Sequence, residues 1–191
     1  VPVYPLAPEH THREVFGGLM PLYAQLVRDH APASLTLMGD SAGGGMALAL
    51  AQRARDAGLP PAGALGRLSP FLDAGAGHPG IDPIEPLGPM LSRPGCIECG
   101  RLYAGGDPVT LPQVSPIHGT LQGLPPTTLF IGTHDILLPD CRLFREKAQQ
   151  QGLPLRYYEY DGMFHAWMLL PMPEATAAFA QIEAAVAAGA A

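Results

Sequence analysis

Basic residues are scarce in this chain: 11 Lys and Arg stand against 17 Asp and Glu, for a formal charge of −6 and a pI near 5.5. The basic residues form no cluster, so the electrostatic footprint of a nucleic-acid binder is missing. Cysteine is scarce too. Three residues, an odd number, make no disulfide framework, which points to a reducing, cytoplasmic compartment. No apolar run reaches the length of a membrane span, and the first residues show no signal-peptide pattern. Internal repeats are absent as well. With 191 residues and 47% hydrophobic content, the composition is that of one globular domain with a sizeable core.

Two of the cysteines form Cys96-Ile97-Glu98-Cys99. A redox role wants such a pair at a helix start inside a βαβ unit, and zinc wants two further ligands nearby. Neither context is evident, so these read as packing or surface cysteines. No metal is expected.

Strands alternate with helices along the chain. Residues 1–4 suggest the end of a strand, and 11–30 an amphipathic helix interrupted near Gly17-Gly18 and Pro21. Strands are predicted at 34–38, 62–68, 127–133 and 155–160, with helices at 42–57, 139–151 and 173–188. Residues 73–116 are crowded with Gly and Pro, with one or two short helices near 93–103. That stretch is too long for a plain loop and is expected to be a cap or lid insertion. Core segments 1–72 and 117–191 would flank it. Alternation with apolar strands implies a mostly parallel sheet covered by helices on both faces.

The segment LTLMGDSAGGGMALALAQRA, 35–54, runs from a short apolar strand through a glycine-rich turn into a helix. Packaging alone could explain those glycines. Gly39-Asp40-Ser41-Ala42-Gly43 also has the G-x-S-x-G spacing of a nucleophile elbow. There a serine stands clear of the sheet on strained backbone, and side chains at Gly39 and Gly43 would collide with neighbouring strand and helix. The helix that follows presents its N-terminal amides to negative charge.

Such a serine needs a base and a carboxylate to orient it. Catalytic groups in open α/β sheets gather beyond the carboxyl ends of strands. There, TLFIGTHDILLPD offers His134, Asp135 and Asp140, and RYYEYDGMFHAW offers Asp161 and His165. The order Ser41, Asp135, His165 is that of α/β-hydrolases. Asp140 is the alternative carboxylate, and Asp135 could instead cap the following helix. His134 should point away, Asp40 supports the turn, and His10 reads as structural. Core packing is the default for Met163, Phe164, Trp167, Met168 and Leu169.

With these blocks in view, the chain resembles the hormone-sensitive-lipase family of α/β-hydrolases, in the subgroup whose elbow reads GDSAGG, with Gly44 as its last residue. VYPLAPEH is similar to that family's Y-R-L-A-P-E-H, LSPFLD to S-P-W-x-D, VSPIHGTLQGLPPTTLFIGTHDIL to its SP…GLPP…G..D.L block, and EYDGMFHAW to its GM.H segment. The resemblance implies carboxylic-ester hydrolysis with Ser41 as nucleophile, His165 as general base and acid, and Asp135 as orienting carboxylate. It implies small acyl esters as substrates, no cofactor, and a cap at 73–116 over an acyl pocket. Acyl transfer or amide hydrolysis would use the same residues. A non-catalytic binding protein is the rival from another class, although such relatives lack the histidine that is present here as His165.

One family feature has no counterpart. The H-G-G-G segment that supplies two oxyanion amides does not occur, and Phe16-Gly17-Gly18 and Ala104-Gly105-Gly106 lie in the wrong context. Only Ala42 N–H is identifiable as an oxyanion donor. The start of the chain resembles the family's fourth strand, so the first three strands are expected to be missing and the sequence to be a piece of an esterase of about 300 residues. The sheet is then expected to be open at its centre, with two unpaired apolar edges inviting a second copy or a complementing N-terminal segment.

Overall fold

The computed structural model describes residues 1–189. Its centre is one sheet of four parallel strands in sequential order. These are β1 (Thr36–Asp40), β2 (Ala64–Leu68), β3 (Thr127–Gly132) and β4 (Leu155–Tyr160). Helices α2 (Ala42–Asp56) and α4 (Leu138–Gln150) cover one face, and α5 (Pro173–Gly189) the other. All residues of β2 and β3 are buried, whereas β1 and β4 are half-buried. That pattern follows from position, since inner strands of a parallel sheet are covered on both faces. Leu65, Leu129 and Ile131 meet Leu48 and Phe144 on one side, while Leu68 and Phe130 meet Trp167 and Ile182 on the other.

Helix α1 (His12–Asp29) begins at a capping box in which Thr11 and Glu14 satisfy each other's ends. It runs unbroken through Gly17, Gly18 and Pro21, where an interruption was expected. An internal proline costs about 3 kcal/mol. Val15, Phe16, Leu19, Tyr23 and Val27 all bury against α2 and its neighbours, and each large side chain contributes roughly 1.5–3 kcal/mol. Packing outweighs the break.

Residues 1–4 are not a strand. Pro2 and Pro5 offer no N–H to a ladder, and Val1 and Val3 are fully exposed. The sheet is therefore an unbroken run, not one opened at its centre. The free side of β1 faces a groove of about 450 Å³ bordered by Tyr4, Leu22, Leu26, Met38 and Met46.

Residues 73–116 fold into short 3₁₀ turns and one helix, α3 (Arg93–Ala104), which packs against the chain that follows β2 through Ala74, Ala104 and Val114. Gly100 permits this approach, because a Cβ there would sit 2.0 Å from the Ala74 carbonyl. Cys96 is buried in α3 and Cys99 is exposed, both as free thiols. Burial pushes the Cys96 thiol up to about 11, as suits a packing residue. Among the described residues, no helix is long and apolar enough to cross a membrane.

Candidate active site

The turn between β1 and α2 is as sharp as its glycines require. Ser41 has φ 50 and ψ −119, a conformation that costs a non-glycine residue on the order of 1–3 kcal/mol. Hydrogen bonds hold it there. Ser41 N–H donates to the Leu68 carbonyl at 2.8 Å, and the Ser41 carbonyl accepts from Gly44, Gly45 and Phe71 N–H at 3.0, 3.2 and 2.9 Å. A Cβ on Gly39 would lie 2.3 Å from the Gly43 backbone, so this glycine is obligatory. The second collision is not at Gly43, where an added Cβ would meet nothing within 4 Å outside its own helix. It falls one and two residues further on, at Gly44 against Pro70 (2.9 Å) and Gly45 against the Phe71 carbonyl (2.2 Å). The helix meets β2's end there, which spacing within the motif does not reveal. Asp40, the last residue of β1, is half-buried and outside the hydrogen-bond chain.

Three side chains meet beyond the strands' carboxyl ends. Ser41 Oγ lies 2.9 Å from His165 Nε2, and His165 Nδ1 lies 2.8 Å from Asp135 Oδ2. The other carboxylate oxygen of Asp135 accepts Leu137 N–H at 3.0 Å. Asp135 is 1% and His165 6% exposed. With both carboxylate oxygens engaged, the imidazole is held with Nδ1–H toward Asp135 and the Nε2 lone pair toward the serine hydroxyl.

Asp140 takes no part. It sits buried in the first turn of α4 with Oδ2 unpartnered, and burial, aided by the charge of Asp73, pushes it up to about 7. The backbone N–H of His134 bonds the Met163 carbonyl at 2.8 Å, and among the described residues its side chain has no hydrogen bond to Ser41, Asp135 or His165. Asp161 accepts from Thr133, and His10 is exposed. Trp167 and Met168 are core residues with Met163 and Phe164 packed against them, whereas Leu169 is exposed.

Ala42 N–H, at the first position of α2, donates to no acceptor among the described residues. Beside it opens a pocket of about 200 Å³, walled by Met46, Phe71, Cys99, Tyr103 and Val114. Among the described residues, no three His, Cys, Asp or Glu side chains group as metal ligands.

Sequence reasoning passed over the residues that brace the histidine turn. Gly132 lies so close to it that a Cβ would meet the Met163 carbonyl at 2.0 Å. Thr133 Oγ1 accepts Gly162 N–H at 2.7 Å, and Ser69 Oγ accepts Ala166 N–H at 3.2 Å. The one available signal was LSPFLD, whose serine follows a strand as Ser41 does.

A family model described as the alpha/beta hydrolase fold matches residues 1–169. An esterase of Acinetobacter venetianus is 35% identical over 189 residues, covering 94% of this chain and 60% of that protein. An acetyl-hydrolase of Streptomyces hygroscopicus is 39% identical over 139 residues, 71% of this chain and 46% of that one. The crystal structure of an esterase from the bacterial hormone-sensitive lipase family superposes with a TM-score of 0.93 at 29% identity, covering 98% of this chain and 64% of that one. The chain thus spans about three fifths of the length of the esterase relative. On a match over most of its residues, and with a sheet and turn that agree with it, the chain belongs to the α/β-hydrolase fold family.

Proposed function

We propose that the chain carries the catalytic residues of a carboxylic-ester hydrolase that works through an acyl-enzyme on short- to medium-chain acyl esters. The observation that carries this reading is the continuous hydrogen-bonded series from Ser41 through His165 to Asp135. Ser41 Oγ attacks the ester carbonyl carbon while its proton passes to His165 Nε2. Asp135 stabilises the imidazolium and fixes its orientation. The tetrahedral oxyanion faces Ala42 N–H, where α2's N-terminal dipole adds its field. His165 Nε2–H then protonates the departing alcohol, leaving Ser41 acylated. A water molecule repeats the sequence and releases the acid. No metal or organic cofactor enters these steps.

The apolar pocket beside Ala42 receives the acyl chain. An apolar cavity of roughly 150 Å³ holds a benzene molecule, so about 200 Å³ suits a chain of similar or slightly greater bulk. The names of the relatives, an esterase and an acetyl-hydrolase, support the same class. Residues 73–116 form the cap, since α3 supplies Cys99 and Tyr103 to the pocket wall.

A second reading, a binding protein or inactive hydrolase fold, rests on Ala42 N–H being the one oxyanion donor identified among the described residues. Removing one oxyanion donor typically costs about 3 kcal/mol, or roughly a hundredfold in rate. Hydrolysis of p-nitrophenyl acetate and butyrate, with fluorophosphonate labelling, separates the two. Turnover and labelling lost together in Ser41→Ala support the hydrolase. Labelling without turnover indicates a formed nucleophile with too weak an oxyanion site, and silence in both assays supports the binding protein.

A further inference from the structure

Ser69 follows the last residue of β2, is wholly buried, and has φ 42. A glycine would adopt that backbone without penalty. A serine there is strained and brings a hydroxyl into the core, where an unpartnered one costs about 1–3 kcal/mol. This hydroxyl has a partner. Its Oγ accepts the N–H of Ala166, the residue after His165. Ala166 is itself left-handed, at φ 55, so two strained residues are joined by one hydrogen bond. Ser69 N–H donates to the Phe130 carbonyl of β3 at 2.8 Å, which anchors the serine to the sheet.

The neighbours of Ser69 grip the other half of the site. The Leu68 carbonyl accepts Ser41 N–H, and Phe71 N–H donates to the Ser41 carbonyl. Residues 68–71 thereby hold the nucleophile by backbone and the histidine turn by one side chain. The two turns lie 124 residues apart in sequence.

We propose that Ser69 is a positioning residue for His165. Its hydroxyl, through Ala166 N–H, sets the turn that keeps the imidazole between Asp135 and Ser41. The catalytic consequence rests on the hydrolase reading above, whereas the geometric one does not.

Ser69→Ala removes the hydroxyl and keeps the strained backbone. Ser69→Gly removes both. Three quantities are compared with wild type: the fluorophosphonate labelling rate of Ser41, the proton NMR signal of the hydrogen-bonded His165 Nδ1–H, and the melting temperature. Both variants should label roughly ten- to a hundredfold more slowly, the range set by misplaced catalytic groups and general bases. Both should broaden or shift the Nδ1–H signal. Ser69→Gly should melt no lower than Ser69→Ala and carries the test alone if the alanine variant does not fold. Wild-type labelling with an unchanged signal in Ser69→Gly would overturn the proposal, because the hydroxyl would then be dispensable for holding His165. If wild type fails to label, the hydrolase reading fails, and the Nδ1–H comparison still decides the role of Ser69.

Discussion

The turn that carries Ser41 follows β1 and the turn that carries His165 follows β4, the two outer strands of the sheet, and they are built differently. The serine turn is specified by its own residues: a strand, a glycine that a Cβ would drive into Gly43 at 2.3 Å, and a helix that begins at Ala42. The histidine turn has no comparable local code. It is positioned by Ser69, Gly132 and Thr133, which belong to other strands' ends. One turn is a motif, and the other is an assembly.

The strongest way to test that contrast is to remove a member of the hydrogen-bonded series from each side. Ser41→Ala and Asp135→Asn should each lower kcat by on the order of 10⁴ or more, because either the nucleophile or the imidazole tautomer is lost. Steady-state hydrolysis of p-nitrophenyl butyrate measures both, and a mild loss in Asp135→Asn would remove that carboxylate from its role. Next come the braces. Gly132→Ala pushes a methyl into the Met163 carbonyl and should slow labelling of Ser41 by roughly a hundredfold, the usual effect of misplacing a catalytic group by about 1 Å. Should that variant label as fast as wild type, the histidine turn would be less dependent on its neighbours than the contrast requires.

Within the serine turn, the glycines should separate by chemical denaturation. Gly39→Ala is expected to destabilise by about 3 kcal/mol or more, since its clash is with backbone that cannot yield. Gly43→Ala meets open space and should be neutral or stabilising by up to about 1 kcal/mol. Equal effects would mean that the turn yields at both positions.

The smallest expected change concerns the two carboxylates after β3. Asp140 is raised by burial to about 7 from a usual value of 3.8. Its folded form favours the proton, so its contribution to stability is lost as pH rises from about 4 to about 7. Asp140→Asn should therefore melt higher than wild type at pH 8, with the gain vanishing near pH 4 and activity at pH 7 unchanged. A difference independent of pH would assign Asp140 another role.

Much of the architecture was legible because hydrophobic periodicity and glycine placement are local signals. The strands at 127–133 and 155–160, α2 and the Ser41 turn emerge within a residue or two of the structure. The errors have long-range causes. Pro21 looked like a break because the sequence does not show the face that Phe16 and Tyr23 bury, and residues 1–4 looked like the end of a strand although Pro2 and Pro5 offer no N–H to a ladder. Choosing Asp135 over Asp140 needed the resemblance to a family. In the structure one carboxylate has both oxygens bonded and the other has an oxygen with no partner.

By itself, the sequence determined an α/β layering and a serine on a sharp strand-to-helix turn, since both follow from side-chain size and period along a few neighbouring residues. The tertiary structure decided which histidine and which carboxylate meet that serine, and which buried hydroxyl braces them. Those choices depend on distances across strands of a folded sheet, where residues 124 apart in sequence come within 2.9 Å.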